Sequence, residues 1–87
     1  GHADIEIIVC EDQEQTDRYW NSLISDGGRE SMCGWLKDKF GLSWQIVPKR
    51  LIELMNDSDP YKAQKVMQAM STMQKIVIAD LEKAYES

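Results

Sequence analysis

Between Asp4 and Cys10 the residues are mainly β-branched and apolar, and the run stops at a Glu-Asp pair, which is the pattern of a strand. Strict alternation puts Ile5, Ile7 and Val9 on one face and Glu6, Ile8 and Cys10 on the other. After Asp12 the apolar period lengthens to that of a helix: Thr16, Tyr19, Trp20, Leu23 and Ile24 recur at spacings of three and four. Asp12 is the expected N-cap, with Gln15 three residues on completing a capping box, and Gly27-Gly28 is the expected stop.

The middle of the chain reads as a hairpin. Ser31 to Lys37 is predicted as a second strand, with Gly34 marking a bulge or a close backbone approach. Asp38-Lys39-Phe40-Gly41 is a turn, and Leu42 to Val47 is a third strand closed by Pro48. Leu42, Trp44 and Ile46 share one face of that strand; Ser43, Gln45 and Val47 share the other. The remainder is helical. Arg50 to Asn56 forms a short helix, then Asp59 caps a second one that starts at Pro60. Ala63, Val66, Met67, Met70 and Met73 make its apolar stripe, and Ile78 to Tyr85 gives a last helix. The order is α+β with three clear strands. So small a sheet leaves an edge and one face without cover, and an uncovered edge invites a second chain. The pattern alone therefore predicts oligomerisation.

Composition narrows the function classes. Eighty-seven residues make one domain, taken as residues 3–87, with Gly1-His2 read as an expression scar. A chain of this size buries roughly 60–65% of its unfolded surface, enough for a thin core. The net charge of −5 opposes nucleic acid and anionic membranes as partners. No apolar run approaches the length of a membrane span, and the first residues lack the basic and apolar regions of a signal peptide. Cys10 and Cys33 have neither CxxC nor zinc spacing, and no histidine stands beside either in sequence. They read as free, mostly buried thiols in a reducing cytoplasm, not as nucleophiles.

The stretch Cys33-Gly34-Trp35-Leu36-Lys37-Asp38-Lys39-Phe40-Gly41, continued by Ser43-Trp44-Gln45 and Val47-Pro48, resembles the 3-demethylubiquinone-9 3-methyltransferase-like family. That family is a branch of the vicinal-oxygen-chelate (glyoxalase/bleomycin-resistance) superfamily. The resemblance extends to Asp17-Arg18-Tyr19-Trp20, Asp57-Ser58-Asp59-Pro60, Lys65 to Met70 and Asp80 to Tyr85. It implies a single βαβββ half-module of the glyoxalase-like fold with C-terminal helices, corresponding to the second of two modules that face each other around a cavity. Two copies would then pair to rebuild that cavity, so a homodimer is expected.

What the resemblance implies for chemistry is limited. Metal-dependent relatives carry a glutamate in the last strand, shortly after a turn like Asp38–Gly41; Gln45 stands there, and a neutral amide is a poor ligand for a divalent cation. On the first strand Asp4 and Glu6 are the remaining donors. No metal or cofactor is expected. Methyl transfer is rejected as well, because no GxGxxG-like run follows Asp4–Cys10. Strand alternation nominates Glu6, Cys33, Trp35, Ser43 and Gln45 as the ligand-facing set. Trp44 is assigned to the sheet–helix core, and the acids Glu11, Asp12 and Glu14 to the favourable N-terminal end of the first helix. The expected function is a glyoxalase-like module that dimerises around a small, partly apolar ligand. The alternatives are a metal-assisted lyase, isomerase or dioxygenase, with Glu6 as its one good donor, and an interaction module completed by another chain.

Overall fold

The computed structural model describes residues 5–87. Asp4 and the Gly1-His2 pair lie outside the described residues. The elements run β1 (Ile5–Cys10), α1 (Gln13–Ile24), β2 (Arg29–Glu30), β3 (Trp35–Lys37), β4 (Ser43–Pro48), α2 (Lys49–Met55), α3 (Pro60–Met70) and α4 (Ile78–Glu86). The architecture is α+β: one four-stranded mixed sheet and four helices. The strand order is β1-β4-β3-β2. β1 lies parallel to β4, and β4–β3 and β3–β2 are antiparallel.

The first helix starts where its capping chemistry requires. Asp12 accepts a hydrogen bond from the Gln15 amide at 2.9 Å, and the Gln15 carboxamide oxygen accepts one from the Glu11 amide at 2.8 Å. Substituting such a cap typically costs about 1 kcal/mol. The helix ends at Ile24, before the two glycines, because Ser25 turns extended and its hydroxyl bonds back to the Ser22 carbonyl. That bond satisfies one of the orphaned carbonyls of the last turn. The Asp59–Pro60 start holds as read, with Asp59 accepting from the Tyr61 amide.

Two expectations are corrected. The pattern marks three strands, and the fourth that a βαβββ order implies is formed by Arg29 and Glu30, which pair with Lys37 and Leu36. Both residues are charged and exposed, so no alternation marks them. The strand expected over Ser31–Lys37 is also shorter, beginning at Trp35. Cys33 and Gly34 sit in the left-handed region, at φ of 59° and 80°, which breaks the extended run. Gly34 is packed so closely that a Cβ would lie 2.9 Å from the Ile46 carbonyl oxygen and 3.1 Å from Ile76 Cγ1. Its carbonyl still accepts from the Ile46 amide, so the β3–β4 ladder continues through the turn.

Two cores result. α1 lies against β1, β3 and β4, and Cys10, Trp20, Leu36 and Ile46 are all at most 2% exposed between them. Trp44 packs partly buried against this cluster, as its alternation required. The second core gathers Val47, Leu51, Leu54, Val66, Ile76 and Leu81 at the end of β4, among the three C-terminal helices. Each such side chain taken from water contributes about 1.5–3 kcal/mol. Met70 and Met73 pack against this second core, while Met67 stays half-exposed. Phe40, placed in the turn, is 84% exposed, with the Lys39 ammonium 5.2 Å from its ring centre.

The segment from Met73 to Ile78 ties the helices to the sheet. Cys33 and Gly34 donate backbone hydrogen bonds to the Met73 and Gln74 carbonyls at 2.7 and 2.8 Å. Gln13 of α1 clamps the same segment: its carboxamide donates to the Ile76 carbonyl at 3.0 Å and accepts from the Ile78 amide at 2.7 Å. A salt bridge of 2.9 Å between Lys75 and Asp17 stands beside the clamp.

Candidate functional site

The face of the sheet opposite α1 is only partly covered. Paired residues of neighbouring strands point to the same side, so the register puts Ile5 with Ser43, Ile7 with Gln45 and Val9 with Val47 on this face. Trp35 joins them opposite Gln45. At its far end the face is roofed by α2, and Val47 is only 8% exposed. Towards β1 the cover ends: Ile5, Ile7 and Val9 are 49%, 61% and 52% exposed. β1 is also an edge strand, with no strand on its outer side among the described residues.

Where the bare strip meets the helices, a groove of about 330 Å³ opens. Its floor is Ile7, Val9, Gln45 and Val47. Its wall is α2, through Leu51, Ile52 and Met55, with Asn56 and Met70 at the rim. No lining residue is ionisable. The polar groups are two carboxamides. That of Gln45 donates to the Cys33 carbonyl at 3.3 Å, a long bond that leaves its oxygen without a protein partner among the described residues.

The five residues nominated from sequence are divided by the structure. Trp35, Ser43 and Gln45 share the open face, and Cys33 is joined to Gln45 through its carbonyl. Glu6 is not among them. It pairs with Trp44 and stands on the α1 side of the sheet. The apolar part of the groove was not nominated, although alternation had already put Ile5, Ile7 and Val9 on one face. Uniting that face with Gln45 and Val47 takes the parallel pairing of the first and last strands. A crossover of this kind leaves no local trace in sequence.

Nothing in the groove equips it for proton transfer or nucleophilic attack, since its lining holds neither a base nor an ionisable acid. Among the described residues, no group of three or more His, Cys, Asp or Glu side chains lies close enough to hold a metal ion. Both thiols are free. Burial pushes the Cys10 thiol up, against a smaller opposing effect of its contact with Thr16, so it is a poor nucleophile at neutral pH. Charged groups with displaced titrations lie elsewhere and are explained by structure. The indole N–H of Trp44 and the backbone of the β3–β4 turn hold Asp38 below the usual carboxylate range. The Tyr85 hydroxyl, donated to Asp57, does the same there, and the bond raises Tyr85 in return.

The family model described as 3-demethylubiquinone-9 3-methyltransferase matches residues 3–47, just over half of the 87-residue chain. The chain belongs to this family. The family match covers the strand–helix–three-strand portion up to Val47, within β4, and includes both sides of the sheet. Helices α2 to α4, of which α2 supplies the wall of the groove, lie outside it. No curated protein matches the chain. Among the described residues no helix is long and apolar enough to cross a membrane.

Proposed function

We propose that the chain is a βαβββ half-module of the glyoxalase-like, vicinal-oxygen-chelate fold, corresponding to a second module, that binds a small, partly apolar molecule against its open face. A second copy closes that face, giving a homodimer. The observation that carries the reading is the strip Ile5, Ile7 and Val9: three β-branched side chains on an edge strand, about half exposed, beside a groove. Isolated exposed apolar residues are ordinary, whereas a contiguous strip beside a concavity marks an interaction surface. The free thiols fit a reducing compartment, and we assign the protein to the cytoplasm on that ground.

The family description names a methyltransferase. A methyl donor bound through its adenosyl group calls for a glycine-rich turn after the first strand. β1 is followed instead by Glu11 and Asp12, and the Asp12 carboxylate is spent on capping α1. The residues present do not fit that cofactor, and no methyl-transfer step is derived. A metal-assisted lyase, isomerase or dioxygenase is favoured by no observation here, because Glu6 and Gln45 stand on opposite faces. An interaction module completed by a different chain would use the same strip.

Native mass spectrometry under gentle conditions tests the reading. A dimer carrying additional non-protein mass is the expected result. A bare monomer at micromolar concentration would overturn the paired-module reading, and a divalent cation retained in stoichiometric amount would restore the metal-assisted one.

A further inference from the structure

We infer that the groove between β1, β4 and α2 selects uncharged molecules and excludes carboxylates, phosphates and ammonium ions, with the Gln45 carboxamide as the polar anchor. The inference rests on the reading of the open face as a ligand-binding face, and it concerns which chemistry that face accepts. Charged residues are 29% of the sequence, yet the groove has none among its lining residues. The helix that walls it carries Lys49, Arg50 and Glu53, and each of these is engaged outside the groove. Lys49 meets Glu11 at 2.9 Å, and Arg50 meets Glu82 and Glu53 at 3.0 and 3.5 Å. An anion entering the groove would lose hydration and find no countercharge, which is the costliest kind of burial. A cation would find no carboxylate. A neutral body would cover Ile7, Val9 and Val47 and gain from apolar burial.

The polar requirement on the groove floor comes from Gln45. Its nitrogen is held by the Cys33 carbonyl, which orients the carboxamide and presents its oxygen as an acceptor. A ligand with one hydroxyl or N–H group at the end of an apolar ring system matches that arrangement. At about 330 Å³ the space is at the small end of ligand pockets, the size of a one- or two-ring molecule.

The test compares 2-naphthol with 2-naphthoate at pH 7, probes that share a ring system and differ in charge. Binding is followed by titration calorimetry on the intact protein. The naphthol is expected to bind at least about tenfold more tightly than the naphthoate. Val9→Trp, which fills the groove from an exposed position, is expected to abolish binding. Gln45→Leu, of similar volume, is expected to weaken the naphthol several-fold. Equal or tighter binding of the naphthoate overturns the inference, and so does failure of both probes to bind. The oligomeric state of the same samples separates this from the pairing. A monomer that still prefers the naphthol loses the second copy and keeps the selectivity. A dimer that binds neither probe and is broken by Val9→Trp makes the groove a subunit contact and removes the inference alone.

Discussion

The two faces of one sheet both carry apolar residues, and these meet opposite fates. On the α1 side, Cys10, Leu36 and Ile46 are closed under Trp20 and are at most 2% exposed. On the other side, Ile7 and Val9 are more than half exposed although they stand on the same strand as Cys10. Hydrophobicity therefore does not decide which face a chain covers with its own helices; the route of the crossover does. α1 spans from β1 to the antiparallel strands and can lie on one side only. The C-terminal helices reach the other side only at the end of β4, where Val47 is buried while its register partner Val9 is not.

Substitutions sharpen that contrast. Leu36→Ala opens a cavity under α1 and is expected to cost about 2–5 kcal/mol in urea unfolding. A loss under 1 kcal/mol would mean that the covered face is loosely packed. Gly34→Ala places a methyl group against the Ile46 carbonyl in a backbone region that disfavours side chains. It is expected to cost roughly 2–4 kcal/mol in the same assay. Ile7→Ala, on the open side, is expected to change unfolding of the dilute monomer by no more than about 0.5 kcal/mol. If a dimer forms, its dissociation measured by analytical ultracentrifugation should respond to Ile7→Ala and leave Leu36→Ala to act through folding.

The smallest effect concerns the helical end. Asp57 is held below the usual carboxylate range mainly by the Tyr85 hydroxyl, and so is more readily ionised in the folded chain than in the unfolded one. The stability this bond contributes is present above about pH 4 and fades as the pH falls through the lower folded value. Tyr85→Phe should flatten this part of the acid limb of a thermal-melting profile, slightly lowering the melting temperature near neutrality and leaving it least changed at the acid end. An unchanged acid limb would show that the bond is idle. Asp17, lowered chiefly by the Gln13 carboxamide and then by Lys75, has the same sign and remains as the residual slope.

Elements whose cause is local were legible in the sequence. The Asp12 and Asp59 caps, the Pro60 start, the turn at Asp38–Gly41 and the packing of Trp44 each follow from chemistry within a few residues. β2 was not legible, since two exposed charged residues give no period and owe their pairing to Leu36 and Lys37. The candidate site was legible by halves. Alternation alone groups Ser43 and Gln45, and it separates Ile7 and Val9 from Glu6. Which group of β1 joins Gln45 depends on the parallel β1–β4 register, fixed between residues 38 positions apart, as in Ile7 with Gln45. Alternation places Glu6 on one face of β1 without saying which face joins Gln45, and the register pairs Glu6 with Trp44 and Ile7 with Gln45.

The Gln13 clamp has a consequence for how the molecule is made. Its two hydrogen bonds join residues 63 and 65 positions apart, from the first helix to the start of the last. Contacts so distant in sequence close late and slow folding, because the loop must be ordered before they form. During synthesis α1 can dock on β1 early, but its Gln13 carboxamide has no backbone to hold until Ile78 has left the ribosome. The first helix thus waits on the last, and the unit locks only when nearly its whole length is free in solution.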